Sequence, residues 1–211
     1  MNLRQNLPLL LASARVANLP SVVSNVWLGV ALGVCFSAPM PPASYWPAAL
    51  LLAMSGILLY VSGNFLNDWH DRRWDARHRP ERALPQGAFA PSLYLSLGIL
   101  GSLTGVVLAC CTSAASGTVA AVIVVCILIY TRWHKQAAWS VLVMGLCRAL
   151  LPLLFFIEWP LGGIGTGIYH SDVFRHQIAL IPTPALALML YVAALSLIAR
   201  AEATAARPAA T

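Results

Sequence analysis

The segment Asn67–Gly87 reads NDWHDRRWDARHRPERALPQG and carries four of the seven acidic residues of the chain. If it begins as a helix, a rotation of about 100° per residue places Asn67, Asp68, Asp71 and Asp75 on one face. Carboxylates packed that closely repel one another and resist joint ionisation unless a cation neutralises them. Because ligands that are all oxygen suit Mg²⁺ better than zinc, we expect these four residues to hold Mg²⁺, which in turn attracts a phosphate. A solvated, charge-rich loop between two membrane helices is the alternative interpretation.

Outside this segment the chain is apolar. It has 211 residues, of which 59% are hydrophobic and 9% charged, whereas soluble domains are about 45–50% apolar and about 25% charged. A membrane-spanning helix needs about 20 mainly apolar residues. Such stretches lie near 16–37, 46–68, 91–111, 115–133, 138–158 and 178–200. The sequence therefore predicts an all-α, polytopic transmembrane helix bundle with about six spans, forming one domain over 1–200, and a disordered tail over 201–211.

The basic residues indicate an orientation in the membrane. The net charge is +6 and the pI is 9.4, but the charges are distributed by loop and do not form a nucleic-acid-binding face. With a cytoplasmic N-terminus, nearly all of them fall at cytoplasmic helix ends, as the positive-inside rule requires. We therefore expect an integral protein of a bacterial inner membrane, in contact with membrane lipid, with the N-terminus and the aspartate segment cytoplasmic.

The aspartate segment also resembles a known motif. The pattern Asn67-Asp68-x-x-Asp71-x-x-x-Asp75, followed by Arg79-Pro80-Glu81-Arg82, is similar to the first aspartate-rich motif of the UbiA-type intramembrane prenyltransferase superfamily. The resemblance implies transfer of an isoprenoid chain from an isoprenyl diphosphate to an electron-rich acceptor, aromatic or lipid. It also implies that Asp68, Asp71 and Asp75 are catalytic and that Mg²⁺ is the cofactor.

Three basic side chains are candidates for binding the diphosphate. Pro80 and Pro85 prevent a continuous helix after the motif, so a structured cap is expected there. In this cap, Arg79 and Arg82 could offer paired donors to phosphate oxygens, although membrane anchoring alone would also explain them. The resemblance extends to His134-Lys135 and implies that Lys135 contacts the diphosphate from a second side.

Two segments supply candidate residues for the substrate cavity. Arg15 and Asn18 share a face if helical, and an interfacial arginine followed by a capping asparagine would give the same pattern. Similar chains of the superfamily have an arginine and then Asn-Leu-Pro leading into the cavity, which implies that Arg15 and Asn18 bind substrate. Arg148 lies inside an apolar span, where a charge is costly. It should face the bundle interior, either paired with a buried acceptor or as a polar wall of the cavity.

The chain departs from the family pattern at its C-terminal end. Members usually have nine membrane helices and a second aspartate-rich motif after the sixth, where this chain has Arg200-Ala201-Glu202. The chain is then an incomplete product, a homo-oligomer or a protein that has lost catalysis. The alternative function is a non-catalytic protein of the same fold that binds or carries isoprenoid lipids.

Two other membrane functions fit the sequence less well. A phosphatidyltransferase also uses spaced aspartates, but the glycines and the Ala-Arg pair expected between them are absent. A transporter would need a carboxylate well inside the membrane, and apart from Glu158, near an outer end, the interiors of the predicted spans have none.

Overall fold

The computed structural model describes residues 3–35, 45–156 and 182–205, which form seven α-helices. They are α1 (Leu3–Ser13), α2 (Leu19–Cys35), α3 (Tyr45–His78), α4 (Pro91–Thr112), α5 (Ala114–Trp133), α6 (Ser140–Phe156) and α7 (Pro182–Ala205). A single 3-10 turn, Val16–Asn18, joins α1 to α2. The predicted all-helical fold is confirmed, and a helix lies in each of the six apolar stretches. α7 ends at Ala205, five residues later than predicted. Residues 159–177, between the last two predicted spans, and the end of the predicted tail from 206 lie outside the described residues.

Helix length and composition identify the membrane spans. α3, α4 and α5 are each long and apolar enough to cross a membrane. α1 and α2 pass the same test together, as a pair bent by 45°. α6 and α7 are apolar over shorter described segments. The chain is therefore an integral membrane protein built on α3, α4 and α5.

The helices α2 to α6 pack as a ring. Each contacts the next, α6 returns to α2, and α7 packs on α6. The closure is tight, because a Cβ at Gly29 of α2 would overlap the carbonyl of Pro152 in α6. Small residues commonly allow such close approach between membrane helices.

Serine hydroxyls tie neighbouring helices together inside the ring. Ser55 of α3 donates to the carbonyl of Gly105 in α4 at 2.7 Å, and Ser116 of α5 donates to the carbonyl of Leu154 in α6 at 2.6 Å. Both side chains are fully buried. With no water available in the bilayer core, a buried hydroxyl needs a partner in the protein, so these bonds fix which helices are neighbours.

The polar end of α3 projects beyond its apolar part. The apolar sequence ends at Leu66, and Asn67–His78 continues the same helix with polar residues. The predicted cap follows as a series of turns over residues 79–89. Ala83 and Phe89 of this cap pack with Phe65 of α3 and Tyr94 of α4. The cap is thus held against the helix end that carries the aspartates.

Candidate active site

The four predicted ligand residues lie on one face of α3. Asn67, Asp68, Asp71 and Asp75 are between 2% and 8% exposed, so each is more than nine-tenths buried. Their helical neighbours Arg73, Ala76 and Arg77 are exposed. The predicted helical face is therefore present, and it turns its carboxylates into the protein.

Two arginines neutralise the first and last of these aspartates. Arg82 Nη1, in the cap, lies 2.8 Å from Asp75 Oδ2 and 3.3 Å from Asp68 Oδ1. Arg15 Nη2 lies 3.9 Å from Asp68 Oδ1. A guanidinium remains charged at any ordinary pH, so it can hold two carboxylates together that would otherwise repel. The cap and the bend between α1 and α2 both meet α3 through Asp68.

Asp71 is bound from the end of α5. Its Oδ2 lies 2.9 Å from Lys135 Nζ and 3.0 Å from His134 Nε2. His70 Nδ1 is 3.5 Å from Oδ1 of the same carboxylate. Lys135 was predicted to contact phosphate, and the structure brings it within reach of the aspartate face. His134 was missed as a site residue, although it directly precedes Lys135.

These surroundings shift the pKa values of Asp68 and Asp71 in opposite directions. Burial raises the pKa of Asp68 above its ordinary value, and the charges of Arg82 and Arg15 offset only part of that effect. Burial also disfavours the charged form of Asp71, but hydrogen bonds from His134 and Lys135 outweigh it and keep the pKa of Asp71 below its ordinary value. Asp71 is therefore the carboxylate that the protein holds more firmly in its charged form.

Arg79 is placed differently from Arg82. Its backbone N–H donates to the carbonyl of Asp75 at 2.7 Å, and its guanidinium carbon lies 5.9 Å from the Trp74 ring centroid. The side chain is exposed. Of the two predicted cap arginines, only Arg82 therefore contacts the carboxylates in this arrangement.

The aspartate face is chemically suited to Mg²⁺. Within the three described ranges, no three Asp, Glu, His or Cys side chains converge closely enough to hold a metal on their own. Mg²⁺ does not require this, because it commonly binds one or two carboxylates and completes its shell with water and substrate phosphate. Asn67 Oδ1 is buried and has no hydrogen-bond partner in the described residues, so one further oxygen ligand is available. The donor set fits the ion.

A cavity of about 120 Å³ lies beside the aspartate face, inside the ring. Four predicted substrate residues line it: Arg15, Asn18, Asn67 and Arg148. The rest of the wall is largely apolar or aromatic, with Leu59, Tyr60, Ile123, Ile127, Tyr130 and Leu151 among its residues. A second pocket, of about 200 Å³, is lined by Arg15, Asp68 and Arg82 among others. Arg15 therefore lies between the apolar cavity and the charged cluster.

The position of Arg15 depends on an uncommon backbone conformation. Arg15 has φ 52° and ψ 48°, in the left-handed region that side chains other than glycine rarely adopt. Asn64 of α3 donates to the carbonyl of Ala14 at 3.1 Å, and the Tyr60 hydroxyl donates to the carbonyl of Arg15 at 3.4 Å. α3 thus holds the bend that brings Arg15 to Asp68.

Comparison with known proteins identifies the family. The model of the UbiA prenyltransferase family matches residues 25–201. The chain belongs to the UbiA prenyltransferase family. The match includes the aspartate face, Lys135 and Arg148, but begins after Arg15 and Asn18.

Two similar proteins have related names. A digeranylgeranylglyceryl phosphate synthase from Methanospirillum hungatei is 29% identical over 77 residues, which are 36% of this chain. That match spans 26% of the length of the archaeal protein. A solved structure from a study of digeranylgeranylglyceryl phosphate synthase in membranes superposes with a TM-score of 0.63 at 15% identity, covering 93% of this chain and 79% of its own. The structural likeness shows that the fold is shared.

In this UbiA-family chain, two further residues of the site were not predicted from sequence. Trp74 lies under Lys135, with the ammonium nitrogen 3.7 Å from the ring centroid. Thr131 lines the cavity, and its buried hydroxyl has no hydrogen-bond partner among the described residues. Trp74 could have been suspected, because it lies one residue before Asp75. Thr131 gave no signal in the sequence.

Proposed function

We propose that this chain catalyses the Mg²⁺-dependent transfer of an isoprenoid chain from an allylic diphosphate to an electron-rich acceptor, aromatic or lipid, within the membrane. The observation that carries the proposal is a buried face of three aspartates and an asparagine, bordered by Arg82 and Lys135, at the mouth of a largely apolar cavity. A diphosphate and an apolar chain need these two environments side by side. Family membership supports prenyl transfer in general.

In this proposal Asn67, Asp68, Asp71 and Asp75 hold Mg²⁺. Bound there, Mg²⁺ would stabilise the negative charge that develops on the departing diphosphate. Arg82 and Lys135 turn from the carboxylates to the phosphate oxygens and neutralise their remaining charge. The side chains of Leu59, Ile123 and Ile127 keep water away from the allylic carbocation, so that the acceptor attacks it first. The charge distribution of the loops supports a cytoplasmic aspartate face in a bacterial inner membrane.

The test is Mg²⁺-dependent release of diphosphate from geranyl, farnesyl and geranylgeranyl diphosphates by the purified protein in lipid. Asp71→Asn is expected to abolish release, because it removes the charge that binds the metal. Arg77→Gln also removes one charge from the same end of α3, but on its exposed side, and is expected to leave release intact. Equal rates in the wild type and Asp71→Asn would contradict the proposal.

A non-catalytic carrier is the second candidate. The observation that favours it is that the chain's own cations already neutralise the aspartates, through Arg82, His134 and Lys135. A carrier would bind isoprenyl diphosphates in a Mg²⁺-dependent manner and release no diphosphate. The same experiment, combined with a binding measurement, separates the two functions.

A further inference from the structure

Asp68 has a neutral partner in addition to its two arginines. Ser13, the last residue of α1, hydrogen-bonds through its hydroxyl to the Asp68 carboxylate, and this contact lowers the pKa of Asp68 against the effect of burial. Both side chains line the pocket of about 200 Å³ beside the cap. The end of α1 therefore contacts the aspartate face directly.

The Ser13 hydroxyl is bound in turn by Tyr94 of α4. The Tyr94 hydroxyl lies 2.8 Å from Ser13 Oγ, and the Tyr94 side chain is fully buried. An ionised carboxylate only accepts hydrogen bonds, and a serine hydroxyl has a single proton. Ser13 therefore donates this proton to Asp68 and accepts a hydrogen bond from Tyr94. The charge of Asp68 thus sets the direction of the chain, from Tyr94 through Ser13 to Asp68.

Packing holds the Tyr94 ring in place. The ring meets Phe65 of α3 edge to face, with 5.0 Å between ring centroids and 85° between ring planes. The ring centroid of Phe89, in the cap, lies 6.0 Å away. Phenylalanine would fill this apolar site equally well, so packing does not require the hydroxyl. Its role is the hydrogen bond that a buried tyrosine hydroxyl usually makes, and here the acceptor is the residue that contacts Asp68.

The partners of Asp68 differ in how they respond to a metal ion. Arg15 and Arg82 are positively charged, so a cation bound at Asp68 repels them. The Ser13 hydroxyl is neutral and can keep its hydrogen bond while a metal ion is bound. Carboxylates that ligate metals are commonly held by such outer hydrogen bonds, and losing one typically costs about 10- to 100-fold in metal affinity.

We propose that Tyr94 is a positioning residue, which acts through Ser13 to hold the Asp68 carboxylate in the orientation that binds Mg²⁺. The hydrogen-bond chain joins α1, α3 and α4 at one oxygen ligand. The inference rests on the proposed function, because it takes Asp68 to be a ligand of Mg²⁺.

The test measures the binding of Mn²⁺, which prefers the same oxygen ligands as Mg²⁺, to the purified full chain in neutral detergent without prenyl diphosphate. Electron paramagnetic resonance gives the concentration of free Mn²⁺, and competition by Mg²⁺ shows that the two ions share the site. Ser13→Ala should raise the dissociation constant of Mn²⁺ about ten- to a hundredfold. Tyr94→Phe should raise it by less, about three- to tenfold, because Ser13 remains but its hydroxyl is no longer oriented.

Matched variants separate positioning from stability. Tyr45→Phe removes another buried tyrosine hydroxyl, which donates to the carbonyl of Val30 at 2.6 Å at the other end of α3. Tyr94→Phe and Tyr45→Phe should both lower the unfolding temperature of the metal-free protein, but only Tyr94→Phe should weaken Mn²⁺ binding. Ser13→Thr keeps a hydroxyl and should retain most of the affinity. In a Ser13→Ala background, Tyr94→Phe should have no further effect on Mn²⁺ binding.

Either of two outcomes would overturn the inference. One is that Tyr94→Phe binds Mn²⁺ as tightly as the wild type, and the other is that Tyr45→Phe weakens binding by the same factor. Diphosphate release is measured separately. If release is sensitive to Asp71→Asn but Tyr94→Phe leaves Mn²⁺ binding unchanged, the positioning role is wrong and the proposed function stands. If Tyr94→Phe weakens Mn²⁺ binding but the wild type releases no diphosphate, the transferase function is wrong and the positioning role stands.

Discussion

The ammonium nitrogen of Lys135 lies 3.7 Å from the centroid of the Trp74 ring. The same nitrogen is 2.9 Å from Asp71 Oδ2, so α3 offers Lys135 two different partners. His78 stacks on Trp74 with 4.1 Å between ring centroids and 10° between ring planes. The ring is thereby fixed on the helix. If Asp71 takes up a metal ion, Trp74 still holds Lys135 beside the site, where it can meet a phosphate.

Trp74→Leu is therefore expected to weaken the binding of farnesyl diphosphate in the presence of Mg²⁺. A cation–π contact contributes about 0.5–2 kcal/mol, so the loss should be about two- to thirtyfold in the dissociation constant. Trp74→Phe keeps a ring face and should lose less. Titration calorimetry gives the constants, and Trp139→Leu, which removes an exposed tryptophan, serves as the control.

A double-mutant cycle with Lys135→Met shows whether Trp74 acts through Lys135. In that case Trp74→Leu has almost no further effect once Lys135 is gone. Additive losses from the two substitutions would show that Trp74 acts on the ligand by another route.

Arg82 joins Asp68 to Asp75, and its loss should make the protein depend on Mg²⁺ for stability. Arg82→Gln leaves two buried carboxylates without their shared cation, which should cost about 1.5–3 kcal/mol. A bound metal ion can replace that charge, and it stabilises the folded state according to its affinity. Thermal unfolding in detergent is expected to show a larger upward shift with millimolar Mg²⁺ for Arg82→Gln than for the wild type. Equal shifts in the two proteins would contradict this account, and Arg77→Gln controls for the loss of a charge.

The aspartate face could be predicted from sequence because its evidence is local. Asn67, Asp68, Asp71 and Asp75 lie within nine consecutive residues, and helical periodicity alone places them on one face. The six apolar stretches were predictable for a similar reason, since each has the length and hydropathy of a membrane helix. Each of these two predictions uses only residues that belong to the same helix.

The contacts between elements could not be derived in this way. His134 reaches Asp71 across 63 residues of chain, and only the packing of α5 beside α3 brings them together. Arg79 and Arg82 are chemically alike in the sequence, yet the backbone turn after His78 directs only Arg82 to the carboxylates. Whether the Thr131 hydroxyl has a hydrogen-bond partner depends on which helices surround it, so no sequence pattern predicts it.

Gly29 controls the closure of the ring around the cavity. A Cβ at this position of α2 would overlap the carbonyl of Pro152 in α6, a backbone group that cannot rotate away. Gly29→Ala should therefore push α2 from α6 and lower stability by about 1–3 kcal/mol, as overpacking usually does. Ala31→Val adds bulk on the exposed side of the same helix and should change stability by less than about 0.5 kcal/mol. If Gly29→Ala and Ala31→Val lower the unfolding temperature equally, Gly29 has no special role in closing the ring.

The left-handed backbone at Arg15 predicts different effects of two substitutions that remove the same charge. Arg15→Gly and Arg15→Ala both lose the contact with Asp68 and the cationic wall of the cavity, so both should weaken diphosphate binding equally. Their stabilities should differ, because a Cβ in the left-handed region costs about 1–2 kcal/mol and glycine has none. Glycine also gives the unfolded chain more freedom, which offsets about 0.4–1 kcal/mol of that advantage. Arg15→Gly is thus expected to be the more stable variant by up to about 1.6 kcal/mol in thermal unfolding. If Arg15→Ala were the more stable, Asn64 and Tyr60 would not be holding a strained bend at this position.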